Sequence, residues 1–172
     1  MELILAFSAA IIAWFIIIYN LFVRDKNRVL AAWSDIDVQL KRRHDLIPKL
    51  IAAVKQYAAY ESATLSAIVT LRTESEKTEG AEMKGQIEAD LGRELHQLIA
   101  LAEDYPDLKA NESFLDLQNN LTDVENNIQY ARRYYNGAVR NLNTRIDTFP
   151  DLLIAKLFHF VPAEYFDFEQ PG

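Results

Sequence analysis

The sequence contains no cysteine, which excludes disulfide scaffolds, thiolate metal sites and cysteine nucleophiles together while leaving the redox compartment open. Histidine is scarce, with three in 172 residues, so metal chemistry is poorly supplied. Five glycines and five prolines are too few for the many turns of an all-β fold. Basic residues are in deficit: 18 lysines and arginines stand against 25 aspartates and glutamates, for a net charge of -7 and a pI near 5.0. No broad phosphate-binding face is expected, and nucleic acid is excluded as a partner. There is no His-Glu-x-x-His, no Gly-x-Ser-x-Gly and no Gly-x-x-x-x-Gly-Lys. Carboxylate-bridged metal bundles place a glutamate three residues before a ligating histidine; before His44, His96 and His159 those positions hold Lys41, Arg93 and Lys156. No catalytic residue, metal or other cofactor is therefore assigned, and the chain is read as a non-enzyme.

What is present is apolar and helical. Half of the residues are hydrophobic and a quarter are charged, the balance of a helical globular protein, and the length suits one folded unit. The expected fold is all-α, with an anchor over 1–23, an antiparallel up-and-down bundle of long helices over 24–150, and a short aromatic-rich segment over 151–172. Residues 3–23 run for 21 positions without a charge. As a helix they reach roughly 30 Å, the thickness of a bilayer's hydrocarbon core. A cleaved signal peptide would carry a basic leading region and a shorter apolar stretch, whereas this one opens with Glu2. All 18 basic residues follow the run, and Arg24, Lys26 and Arg28 stand at its exit. By the positive-inside bias this predicts a single-pass membrane protein with a short outer N-terminus, a cytoplasmic bundle and those three residues flanking the lipid. Tyr19 is placed for an interfacial belt, and the Ala6/Ala10 and Ala9/Ala13 pairs have the spacing that lets two membrane helices pack.

Beyond the anchor, a 3.5-residue repeat runs from Leu30 through Trp33, Asp37, Leu40, His44, Ile47, Ile51, Val54, Ala58, Glu61 and Leu65 to Ile68, predicting one long amphipathic helix. Pro48 either kinks it or restarts it with Asp45 as N-cap, and the unbroken register favours the kink. After the polar linker TESEKTEGAE, the stripe Met83, Ile87, Leu91, Leu95, Leu98, Ala102 supplies a return helix. A third stripe, from Phe114 through Leu121, Ile128, Tyr135 and Leu142 to Phe149, runs straight across Asn136-Gly137, so a helix with a tolerated glycine is expected, ending at Pro150.

Asp37, His44 and Glu61 occupy core-register positions, where burial alone is costly. Arg132, Arg133, Asn136 and Arg145 on the last long helix are complementary donors. With Arg43 and Asp45, these nine form a candidate polar layer that fixes helix register or serves a subunit interface. The basic Arg42 stands about 27 Å beyond Arg24 on a straight helix, past the reach of headgroup charge. At the other end, Phe149, Phe158, Phe160, Tyr165, Phe166 and Phe168 form a candidate docking segment, too aromatic for an idle tail; it caps the bundle, meets a partner or touches the membrane interface.

The string IDVQLKRRHDLIPKLIAAVKQYAAYE, residues 36–61, resembles the signature of the LemA family, bacterial proteins with one N-terminal membrane helix and a helical bundle. FLDLQNNLTDVENNIQYARRYYNGAVRNLNTRIDTFP over 114–150, the closing LFHFVPAEYFDFE and LAEDYPDLKA are similar to the same family. Lys49 departs from the asparagine expected after the proline, and Gly137 replaces a bulkier residue. The resemblance implies a membrane-anchored protein with an inner domain and no secure catalytic activity. Through relatives associated with membrane-bound zinc proteases or specialised membrane compartments, it implies a scaffold or adaptor. The reading is a non-catalytic anchored scaffold or adaptor that self-assembles into homo-oligomers, with membrane lipid as partner through residues 3–23. The alternatives are a regulatory or substrate-delivery subunit of a membrane protease, and a hydrolase or metal protein using His44, Asp45 and Glu61.

Overall fold

A computed structural model describes residues 1–57, 62–102 and 104–166. They form six helices: α1 (Glu2–Tyr57), α2 (Ser62–Lys77), α3 (Ala81–Ala102), α4 (Pro106–Lys109), α5 (Glu112–Asp147) and α6 (Asp151–Leu157), with no strand among the described residues. The architecture is all-α. Contacts divide it into two compact units that do not follow chain order. One joins 1–34 to 133–165, and the other comprises 35–132 with Phe166.

The second unit is a bundle of the C-terminal part of α1, α2, α3 and the N-terminal part of α5. The helix read from Leu30 to Ile68 is in fact two, because α1 ends at Tyr57 and α2 begins at Ser62. A single helix would hold residues 44 and 76 about 48 Å apart, yet the His44 ring nitrogen Nδ1 lies 3.7 Å from Glu76. α1 and α2 therefore run antiparallel. The polar linker is also shorter than the composition suggests. Thr73–Lys77 belong to α2 and Ala81 opens α3, leaving three residues whose turn depends on Gly80 at φ 90°, where a side chain would be strained. α5 opens with Asn111 as N-cap, its side-chain oxygen accepting the Phe114 N–H at 3.1 Å. The core gathers Ile47, Leu50, Val54, Ile68, Leu91, Leu98 and Phe114, each contributing about 1.5–3 kcal/mol by leaving water.

α1 passes through Pro48 without a restart. Ile47 and Leu50 on either side are buried while Pro48 faces outward, so packing fixes the helix where the missing N–H costs least. The buried stripe of α1 from Val29 on is Val29, Ala32, Ile36, Leu40, Arg43 with His44, Ile47, Leu50, Val54. It lies one residue earlier than the predicted stripe at four turns, leaving Leu30 exposed and Asp37 with a side chain 63% accessible. In α5 the buried face moves the other way. After Tyr135 it continues through Val139, Leu142 and Ile146, so Arg145 does not interrupt it and Phe149 lies outside it. A helix of 3.6 residues per turn drifts against a strict 3.5 repeat, and over five heptads the drift amounts to one position.

The first unit packs the N-terminal part of α1 against the C-terminal part of α5, α6 and an irregular strap, residues 158–165. Phe22, Ala32, Val139, Ile154 and Ala155 are buried there. α5 side chains hold the strap by its backbone. Asn143 donates to the Ala163 carbonyl and accepts the Ala163 N–H, both at 2.9 Å, and the Tyr135 hydroxyl donates to the Glu164 carbonyl at 2.8 Å. α5 runs unbroken through Asn136-Gly137.

Candidate functional site

Each unit buries one charged cluster. In the bundle unit the hub is Glu88 of α3, 3% exposed. Its Oε2 accepts from the Arg43 Nη1 at 2.9 Å, and its Oε1 lies 2.7 Å from the His44 Nε2. Ser75 of α2, fully buried, donates its hydroxyl to the same oxygen. Arg43 also donates to the Glu88 carbonyl at 3.1 Å and, through Nη2, to Glu125 of α5. Five residues from four helices, two of them from α1, thus meet in one cluster. Burial by itself would push the Glu88 carboxyl up, but the His44 hydrogen bond, the Arg43 charge and the Ser75 hydroxyl outweigh it and hold Glu88 below its ordinary value of 4.5.

This geometry is not that of a nucleophile and its base. The Ser75 hydroxyl points at the carboxylate rather than at His44, and Ser75 is sealed from any substrate. The guanidinium borders a cleft of about 280 Å³ lined by Gly92, Leu95, His96, Gln118 and Glu125, but its two terminal nitrogens already donate to Glu88 and Glu125. Asp45 is exposed on α1, and Glu61 lies outside the described residues. Asp37 approaches Lys84 at 4.0 Å on the surface rather than joining the cluster. The polar layer therefore shares Arg43 and His44 with the sequence reading. Its acids come from α3 and α5, where the sequence reading placed donors on α5. Glu88, Ser75 and Glu125 were not anticipated. Gly92, four residues after Glu88, lies beside the guanidinium, where a Cβ would stand 3.9 Å away, an ordinary contact, so its glycine is no signal for Glu88.

In the other unit the hub is a cation. The Arg145 Nε donates to Asp25 and its Nη1 to Asp151, each at 2.8 Å, and its guanidinium carbon lies 5.9 Å from the Phe22 ring centroid. Burial alone would lower the Arg145 pKa, but the two carboxylates raise it. Asp25 is buried, with Arg24 and Arg28 each 3.7 Å away on its outer side. Arg24 and Arg28 are thus partly engaged in holding Asp25, while Lys26 is exposed. Arg132, Arg133 and Asn136 lie on α5 near the boundary between the units, with Arg133 exposed.

The aromatic set divides. Phe160 stacks on Phe22 at 4.7 Å between ring centroids, and Phe158 meets Tyr19 at 4.8 Å. Phe166 is buried, Tyr165 and Phe149 are exposed, and Phe168 lies outside the described residues. The apolar run of α1 is covered only at its end. Residues 1–13 are exposed throughout, Ile18 and Phe22 are the first to be buried, and the helix is long and apolar enough to cross a membrane.

Comparison with known proteins agrees with this anatomy. Over 135 residues the chain is 32% identical to Protein LemA of Metamycoplasma hominis, covering 76% of this chain and 60% of that protein. It is 27% identical over 194 aligned positions to magnetosome protein MamQ 2 of Paramagnetospirillum magneticum, covering 95% of this chain and 69% of that protein. Identity to magnetosome protein MamQ of Magnetospirillum gryphiswaldense is 25%, with 99% and 74% covered. The chain thus spans well short of the full length of these relatives. Because the LemA family profile matches residues 32–172, taking in the bundle with its Arg43–Glu88 layer, α5 and the aromatic strap, the chain belongs to the LemA family.

Proposed function

We propose that this protein is a single-pass membrane-anchored scaffold or adaptor that works by contact between helices rather than by catalysis. The carrying observation is the leading part of α1: thirteen consecutive exposed residues that are nearly all apolar, with Leu3, Ile4, Leu5 and Phe7 more than half accessible. Such a surface is stable in lipid and costly in water. All lysines and arginines follow the run, which favours a cytoplasmic location for the rest of the chain. Similarity to proteins named for the magnetosome fits a membrane-associated role.

The Glu88 layer suits this role. A fully hydrogen-bonded charged layer fixes which helices pair and in what register, as a scaffold needs. Anchoring also restricts each copy to one plane, so weak contacts between copies suffice for assembly. The test is membrane fractionation of the full chain followed by mass measurement in mild detergent. Retention in the pellet through alkaline carbonate, with particles heavier than one chain plus its micelle, is the expected result. Release by carbonate would remove the anchor, and monomers at every concentration would remove self-assembly.

A further inference from the structure

α6 carries an apolar ridge that its own unit leaves bare. Ile154 and Ala155 turn inward and are fully buried, whereas Leu153 and Leu157, four residues apart on the other side, are 54% and 60% exposed. Phe149, in the turn before α6, is 74% exposed, and Phe158 and Val161, after it, are 49% and 73% exposed. Apolar residues spaced by four line one face of a helix. Here that face points away from the packing side.

The patch has a definite level along α1. At one end Asp151 shares Arg145 with Asp25, and at the other the Phe158 ring meets Tyr19. The segment therefore lies beside residues 19–25, the stretch over which the apolar run gives way to Arg24, Lys26 and Arg28. Ile16 and Ile17, one turn before Tyr19, are themselves more than half exposed, so the bare ridge ends at the level where the bare part of the membrane helix begins. The charges at this level suit the same setting. Asp25 and Asp151 pair with Arg145, and Asp25 also with Arg24 and Arg28; the exposed ions at this level are mostly basic, Arg24, Lys26, Arg28 and, between the two ridge leucines, Lys156, with Asp147 the acid beside them.

We propose that α6 is a second membrane contact, standing beside α1 where it enters the bilayer that holds it, with Leu153, Leu157 and Phe158 against the upper acyl chains and Lys156 extending back, with Arg24 and Arg28, toward the phosphates. This rests on the anchor reading above. Level fixes the occupant: whatever covers the ridge must stand where α1 enters lipid, and lipid is already there. An apolar ridge with a flanking lysine whose stem crosses apolar surface and whose charge stays at the headgroups binds in this way. Added to the span, it limits the tilt and rotation that a single helix would allow this unit.

Since the chain has no cysteine, single-site spin labelling gives a direct test. Full-length I12C, L153C, L157C and N141C are each labelled with a nitroxide and reconstituted into vesicles of phosphatidylcholine with a minority of phosphatidylglycerol. Accessibility to oxygen is then compared with accessibility to a water-soluble nickel chelate. The expected order is deep for position 12, shallow but lipid-exposed for 153 and 157 with a several-fold higher oxygen-to-nickel ratio than 141, and aqueous for 141. If 12 is deep while 153 and 157 match 141, the interfacial contact is refuted and the anchor stands. If 12 is aqueous as well, the anchor fails and the contact with it. Dipolar broadening at 153 and 157 with low access to both reagents would refute lipid in favour of a second copy. Two ridge sites on an exposed face keep the test valid if one label disturbs folding.

Discussion

The two units bury charged clusters with opposite hubs. In the bundle unit a carboxylate, Glu88, is ringed by donors from Arg43, His44 and Ser75. In the unit built on the N-terminal part of α1, a guanidinium, Arg145, is held between Asp25 and Asp151. The hubs also differ in exposure, with the Glu88 side chain at 3% and that of Arg145 at 23%. Beside water, an ionic cluster is a soft restraint that neighbouring charges can replace. Sealed among helices, it is satisfied almost completely or it disrupts the packing.

Substitutions can break or sharpen this contrast. The largest effect is expected from Glu88→Ala, which strands Arg43 and leaves Ser75 without its acceptor. It should cost about 3 kcal/mol at neutral pH, read as a lowered urea midpoint of the helical signal in mild detergent. Arg145→Ala should cost less, about 2 kcal/mol, because Arg24 and Arg28 still face Asp25; an equal or larger loss would erase the distinction between sealed and partly open hubs. Acid should separate the two as well. The depressed Glu88 carboxyl contributes stability that is fully present above its ordinary value of 4.5 and is lost as pH falls through its lower folded value. The wild type should therefore lose stability on acidification in a step that Glu88→Gln, already destabilised at neutral pH, reduces. The Tyr135 phenol behaves oppositely at the alkaline end. Burial, then the Glu164 charge, push it up to about 12, so its contribution holds below 10 and fades between the two values, a loss that Tyr135→Phe should remove. The smallest effect concerns glycine. At Gly137, inside α5, an added Cβ meets nothing within 4 Å, and Gly137→Ala should stabilise by about 0.5–1 kcal/mol. Gly80→Ala should destabilise by about 1 kcal/mol because its φ is 90°.

The same contrast explains what was legible from residues alone. His44 stands out because it interrupts an otherwise apolar stripe of α1, and Arg43 enters the candidate layer only as its neighbour. Glu88 sat beside Ile87 in a stripe that looked complete without it, and Asp25 was masked by Arg24, Lys26 and Arg28, where an acid reads as one more solvated charge. Partners this distant in the chain, 45 residues for Arg43 with Glu88 and 120 for Asp25 with Arg145, leave no local spacing to read. The reversal between α1 and α2 was hidden because the hydrophobic period of one helix continued in phase into the next, and periodicity records a face, not a direction.

Composition and period by themselves determined that this chain is helical, that it opens with an apolar segment of bilayer length and that its later helices pack along one face, because each of these is a short-range property of side chains and backbone. Tertiary structure alone decided where the chain reverses, which of two adjacent stripes is buried and which acid meets which base. Those outcomes turn on fractions of a helical turn summed over many residues and on contacts between segments far apart in sequence, and such quantities become fixed only when the helices pack.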